Sequence, residues 1–264
     1  MPLSIKLSFG LLGLTVALGA CSSKDEPPDP FGTVSQFCLA WGQSACTPET
    51  VLACSGDTSD ALTQACVATQ EQFCEGLVPS TGYSSAQVAS CLSAVQAAYS
   101  DGRLTAAEIA TVRHRGAPCD HLIKGAQAKG GTCTQNDDCD TLSNYQCIIK
   151  GDTGTCQIPV RVENGTPCDA PDATCNAKFY CDGSNCVAIK AVGANCKATL
   201  ECDPAAVCDP DTMVCKTRVS STSCKLDSDC AVDTVCDVPA GSTTGKCLKT
   251  IQLSPSEKLC QDLQ

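Results

Sequence analysis

The sequence predicts a small disulfide-rich protein: an α-helical, disulfide-stapled N-terminal domain followed by tandem short cysteine-rich repeats with little regular structure beyond short β-hairpins. Three observations predict it. The 264 residues include 25 cysteines, a density that reads as a covalent framework in an oxidising compartment. Large apolar side chains are scarce, with five Phe, four Tyr and one Trp, so loop closure must supply stability that a generous core would otherwise provide. The cysteines are also ordered: Cys196, Cys202 and Cys208 recur 28 residues later as Cys224, Cys230 and Cys236, the mark of a repeated structural unit.

In chain order, a basic start ending at Lys6 leads into the apolar stretch Leu7 to Leu18. That stretch is too short to span a bilayer, and small residues of the kind found at export cleavage sites follow it. It ends in Leu18-Gly19-Ala20-Cys21, which resembles the lipobox of bacterial lipoproteins. The resemblance implies a signal peptide over residues 1–20, a mature chain beginning at Cys21, and a lipid on that cysteine as the contact with the membrane. Ser22 is not the aspartate that retains such lipoproteins at the inner membrane, so the outer membrane of the cell envelope is the implied address. An ordinary signal peptide, with Cys21 as one more thiol, is the competing reading. Residues 21–30, from Ser22-Ser23-Lys24 to Pro27-Pro28-Asp29-Pro30, are polar and proline-rich and read as a flexible tether.

Setting Cys21 aside leaves 24 cysteines, an even number that closes as twelve disulfides. Zinc is the competing use of so many thiols, but the chain has no Cys-x-x-Cys pair and only two histidines, His114 and His121, whereas structural zinc sites show close ligand pairs. No metal and no cofactor is therefore expected. The formal net charge of −11 argues against nucleic acid and against electrostatic binding to anionic lipid, both of which demand basic surface.

Residues 31–128 read as helical, with Cys38, Cys46, Cys54, Cys66, Cys74, Cys91 and Cys119 facing inward as staples. Thr47-Pro48-Glu49 places a capping residue before a proline at the first helical position, and Thr105-Ala106-Ala107-Glu108 has the form of a capping box. Ser84 heads another start, leading to a stripe of Val88, Cys91, Leu92, Val95 and Ala98 at helical spacing. Leu62, Cys66 and Phe73 repeat the pattern on a helix expected from about Asp60 to Cys74. About four short helices are predicted.

Residues 129–264 hold four units of four cysteines and a C-terminal tail. The units span about 130–160 (Cys133, Cys139, Cys147, Cys156), 165–190 (Cys168, Cys175, Cys181, Cys186), 193–219 (Cys196, Cys202, Cys208, Cys215) and 221–250 (Cys224, Cys230, Cys236, Cys247). Gly130, Gly165 and Gly193 stand three residues before the opening cysteine, with Ser221 at that place in the fourth unit; glycine there predicts a tight turn. Asp138, Glu201 and Asp229 precede the second cysteine, with Thr174 in the second unit, and Asp182, Asp209 and Asp237 follow the third. Four cysteines allow three pairings. First to third and second to fourth is favoured, because overlapping loops pin two short strands together. Parity bears on Cys260: the helical region holds seven cysteines and needs an eighth. A bridge from Cys260 to that region is the simplest closure; a free Cys260 or a link between two molecules is the alternative, given its place near a fraying terminus.

The repeats resemble the short cysteine-rich modules of Dickkopf N-terminal type. Phe37-Cys38 through Cys46, Gly82 to Cys91-Leu92, and Cys119-Asp120-His121-Leu122-Ile123-Lys124-Gly125 into Gly131-Thr132-Cys133 are together similar to cysteine-rich lipoproteins of myxobacteria and their relatives. The resemblance concerns architecture and implies no catalytic residue.

No pattern of residues names an activity. Asp101-Gly102 and Glu108 match the second half of an EF-hand loop, but Ala97 and Tyr99 stand where oxygen ligands belong; a turn and a helix cap explain them. Gly82-Tyr83-Ser84-Ser85-Ala86 lacks the final glycine of a nucleophile elbow, and Ser84 reads as a cap. His114, between Arg113 and Arg115, reads as a solvated histidine at a helix end. Asp137-Asp138 and Asp209-Pro210-Asp211 read as turn residues before calcium ligands. The leading expectation is a non-enzymatic cell-envelope lipoprotein that binds an unknown protein or glycan or helps build the envelope. A hydrolase with an unidentified carboxylate or serine, and a protease inhibitor with a disulfide-braced loop, are the alternatives. A broad concave pocket of convergent polar groups would favour the enzyme, and a rod without one would favour binding.

Overall fold

The computed structural model describes residues 28–218, 223–231 and 233–263. Cys21, the cleavage site, most of the tether and Ser221 lie outside the described residues. Asp29 already belongs to the fold: its carboxylate accepts the Phe31 N–H at 2.9 Å and the Ser85 hydroxyl.

Five helices form the N-terminal region: α1 (Val34–Ala45), α2 (Pro48–Ser55), α3 (Asp60–Leu77), α4 (Val88–Tyr99) and α5 (Ala106–His114), with a short strand β1 (Arg103–Thr105) ahead of the last. The four expected starts are present. The addition is α1, begun by a capping box in which Thr33 Oγ1 accepts the Gln36 N–H and Gln36 Oε1 accepts the Thr33 N–H. It also carries the largest buried side chains, Phe37 and Trp41, whose rings meet edge to face at 6.0 Å. Each contributes roughly 2–3 kcal/mol by burial. Gly42 lets α1 approach α3 closely, since a Cβ there would lie 2.6 Å from the Val67 carbonyl oxygen. Cys38–Cys74 and Cys46–Cys66 fasten those two helices, and Cys91–Cys119 fastens α4 to the segment after α5.

Val88, Cys91, Val95 and Ala98 form the buried stripe of α4, with Leu92 half-buried beside it. On α3 the fully buried residues are Cys66, Gln70 and Cys74. Phe73 is only half-buried. Gln70 takes the inward place because its Nε2 donates to the Asp262 carbonyl at 3.0 Å, so this buried amide is paired.

The four units follow. The first has β2 (Thr132–Cys133), β3 (Gln146–Lys150) and β4 (Thr153–Gln157) in the order β2-β4-β3. The second has β5 (Val160–Val162) parallel to β6 (Ala173–Cys175), then the hairpin β7 (Phe179–Cys181) and β8 (Cys186–Ala188). The third and fourth are the hairpins β9 (Ala206–Asp209) with β10 (Val214–Thr217), and β11 (Val235–Asp237) with β12 (Lys246–Leu248).

In every hairpin the third and fourth cysteines are register partners: Cys147 with Cys156, Cys181 with Cys186, Cys208 with Cys215 and Cys236 with Cys247. They are not bonded to each other. Each reaches back instead, in the first-to-third pairs Cys133–Cys147, Cys168–Cys181, Cys196–Cys208 and Cys224–Cys236. The second-to-fourth pairs are Cys139–Cys156, Cys175–Cys186, Cys202–Cys215 and Cys230–Cys247. The expected pairing therefore holds in all four units. In the third unit the core is little more than the cysteines and Ala206, so covalent closure replaces apolar burial there.

The tail does not trail from the array. Strand β13 (Thr250–Gln252) pairs antiparallel with β1, and α6 (Lys258–Gln261) carries Cys260 to a bond with Cys54 of α2. Ile251, Leu253, Leu259 and Leu263 are buried in the same cluster as Phe37, Trp41 and Leu104, and Val235 of the fourth unit joins them. The helical core is thus completed by residues about 200 positions away in sequence.

Candidate functional site

Three consecutive residues at the end of α5 each reach a different part of the chain. Arg113 pairs with Asp262 of the tail at 2.9 Å, His114 Nε2 lies 3.6 Å from Asp227 of the fourth unit, and Arg115 pairs with Asp137 of the first unit. Arg115 ends the helix in the left-handed region at φ 50°, which turns its side chain off the helical path. His114 is 65 % exposed, in keeping with a solvated histidine, but its neighbours make the site a junction.

A cleft of about 400 Å³ opens beside this junction, between α5, the fourth unit and the tail. Ile109, Val238, Ile251 and Leu259 give it apolar walls, and His114, Lys225, Asp227, Asp237 and Lys258 its polar ones. Asp227 is committed on its other oxygen, which accepts the Cys236 N–H at 2.9 Å. Burial, and then the Asp237 carboxyl beside it, push Glu257 up to about 7. A second hollow, about 610 Å³, runs past Ile149, Phe179 and Leu200, joining the first three units. Ile149 and Leu200 stand 60 % and 64 % exposed there.

The acids of the repeats have structural duties. Asp138 accepts the Thr134 N–H at 2.7 Å, the Thr134 hydroxyl and the Gln135 N–H. Asp229 accepts the Lys225 and Leu226 N–H groups, and Glu201 the Lys197 N–H together with the Lys190 ammonium. Each closes the turn before a 3₁₀ helix: Asn136–Asp138, Thr199–Glu201 or Asp227–Asp229. These hydrogen bonds hold the three carboxyls below the ordinary carboxylate range. After the third cysteine, Asp182 accepts the Ser184 and Asn185 N–H groups, and Asp209 the Thr212 N–H and the Lys216 ammonium. Both are lowered for the same reason.

Three features of the units escape the cysteine spacing. The residue three after the opening cysteine accepts the N–H of the third: Asn136 from Cys147, Thr199 from Cys208 and Asp227 from Cys236. Pro171 stands there in the second unit, which also has Thr174 for the acid and no 3₁₀ helix at this point. The residue six before the opening cysteine pairs in parallel with the second: Gln127 with Cys139, Val162 with Cys175 and Lys190 with Cys202. The turn glycines, at φ 82°, 73° and 90° for Gly130, Gly165 and Gly193, donate their N–H to the fourth cysteine's carbonyl at 2.7–2.8 Å. A signal for the first was in the sequence, since an oxygen-bearing side chain recurs at that offset; the parallel pairing has no such signature.

The sulfur clusters of the units, such as the Cys133, Cys139 and Cys156 Sγ atoms within 4.8 Å of one another, belong to pairs of adjacent bridges. Every cysteine among the described residues is bonded to another cysteine. Both acids of the half EF-hand are spent on local backbone: Asp101 accepts the Arg103 N–H at 2.9 Å, and Glu108 caps α5, accepting the Thr105 N–H at 2.7 Å. Ser84 caps a 3₁₀ turn, Ser85–Gln87, that leads into α4. His121 contacts its neighbour Asp120 at 2.6 Å. No family model, no curated protein and no solved structure matches this chain.

Twelve disulfides mark an extracytoplasmic protein. Among the described residues no helix is long and apolar enough to cross a membrane.

Proposed function

We propose that the chain is a non-enzymatic lipoprotein of the cell envelope, held to the outer membrane by lipid on Cys21, whose rigid disulfide array binds a protein or glycan partner or supports the envelope. The observation that carries the reading is where the polar groups are spent. Arg113, His114 and Arg115 face carboxylates across the junction, and the repeat acids close turns. Meanwhile Ile149 and Leu200 stand exposed on covalently braced units. That division of labour favours recognition by surface over chemistry at a centre. The similarity to cysteine-rich lipoproteins of myxobacteria belongs to the same reading, through the cysteine spacing and the turn glycines.

Metabolic labelling with an acyl probe tests the anchor: the wild-type chain takes up the probe and fractionates with membranes, and Cys21→Ala does neither. Labelling that persists in Cys21→Ala overturns it. Capture from intact cells with the lipidated protein tests recognition. A partner lost on Ile149→Asp or Leu200→Asp supports a surface role, and turnover of a substrate by the purified chain contradicts it.

A further inference from the structure

The cleft beside α5, at about 400 Å³, has the size of a small-molecule site, and some of its charges are left over. Arg113 is engaged by Asp262, and His114 faces Asp227, whose other oxygen accepts the Cys236 N–H. Lys225, Lys258 and Asp237 also line the cleft. Among the described residues none of these three forms an ion pair. Lys258 and Asp237 stay apart although their backbones are neighbours, the Lys258 N–H donating to the Val238 carbonyl at 3.2 Å.

The fourth unit departs from its repeat at this cleft. Asp182 and Asp209, at the place of Asp237 in the two preceding units, accept N–H groups of their own turns, and Asp209 also takes the Lys216 ammonium at 2.7 Å. Leu248 stands at the place of Lys216 in the fourth unit, so Asp237 is left without that cation. Two residues after the opening cysteine the earlier units carry Gln135, Ala170 and Ala198, and the fourth carries Leu226. Leu226 is 65 % exposed and lines the cleft with Ile109 and Val238; its backbone is fixed by the Asp229 carboxylate, which accepts its N–H at 3.1 Å.

Opposite charges left unpaired around the walls of one apolar cleft are matched by a ligand that carries both. We propose that this cleft binds a small zwitterion with an apolar body, of the class of a dipeptide with aliphatic side chains. Lys225 and Lys258 take its carboxylate, Asp237 takes its ammonium, and Leu226, Ile109 and Val238 take its side chains. A polyanion is opposed by Asp227 and Asp237, and a simple cation by the two lysines. The site is separate from the surface at Ile149 and Leu200 and does not depend on the anchor.

Calorimetric titration of the mature chain with leucyl-leucine, its N-acetyl form and its C-terminal amide tests the site. Leucyl-leucine should bind, and capping either end should weaken it by up to about fivefold, the range of a solvent-accessible ion pair. Lys225→Gln with Lys258→Gln should weaken leucyl-leucine and leave the amide unchanged. Asp237→Asn should weaken leucyl-leucine and leave the N-acetyl form unchanged. In each case the capped ligand that still binds shows that the variant is folded. Leu226→Asp, at an exposed position, should weaken all three. No binding of leucyl-leucine overturns the site, and so does equal affinity for the three ligands. An equal loss from Lys129→Gln with Lys178→Gln, outside the cleft, overturns it as well.

Discussion

Cys54 in α2 is bonded to Cys260 in α6 across 206 residues of sequence, and this bond makes the tail a part of the helical domain. The repeats that lie between are thereby drawn into a closed circuit. Arg113, His114 and Arg115 then fix three points of that circuit against the end of α5. By the chain-entropy account a loop of this size stabilises by about 5 kcal/mol at most, and the bridges nested inside it shorten the effective loop.

Replacing both cysteines, Cys54→Ser with Cys260→Ser, should therefore lower unfolding stability by roughly 2–4 kcal/mol. Denaturant unfolding under non-reducing conditions measures it. Limited proteolysis should cut the variant after Lys249 or Lys258, where the wild type resists.

Two glycines separate backbone strain from steric exclusion. Gly130 has φ 82° and open space where a Cβ would stand, whereas a Cβ on Gly154 would lie 2.3 Å from the Cys133 carbonyl oxygen and 2.7 Å from Cys147 Sγ. Gly130→Ala should cost about 1–2 kcal/mol, the left-handed penalty alone. Gly154→Ala should be the more damaging, because it presses on backbone and on a bridge; a higher yield of mispaired isomers on oxidative refolding is the readout.

Stability should pass through a maximum in mildly acidic solution. The lowered carboxyls Asp138, Asp182, Glu201, Asp209 and Asp229 bind fewer protons folded than unfolded. Their contribution is complete above the ordinary carboxylate range, about pH 4, and is lost as pH falls. Glu257, raised to about 7, binds more protons folded, so its contribution is present below that range and lost as pH rises through 7. A plot of Tm against pH should fall on both sides of this interval, and Glu257→Gln should flatten the upper limb alone.

Much of this architecture was legible because cysteine spacing, glycine placement and helix caps are local. The 28-residue register located the last two units, the overlapping-loop argument chose the pairing, and parity pointed Cys260 to the helical region. What was not legible depends on distant partners. Gln70 is buried because it meets Asp262, and β1 becomes a strand because β13 pairs with it; no window around either residue contains the partner. Helix α1 is the exception in the other direction: it lies within the residues that read as helical, and its start is marked locally by the capping box of Thr33 and Gln36. In the junction, Arg113 and Arg115 look like solvated charges in sequence because their carboxylates lie in the tail and the first unit.

A disulfide-linked peptide map of the mature protein, taken without reduction after alkylation, tests the account most directly. It should show the Cys54 peptide joined to the Cys260 peptide, first-to-third and second-to-fourth links within each unit, and no alkylated cysteine among the 24 that follow Cys21. A Cys260-to-Cys260 dimer, or an alkylated Cys260, would contradict it.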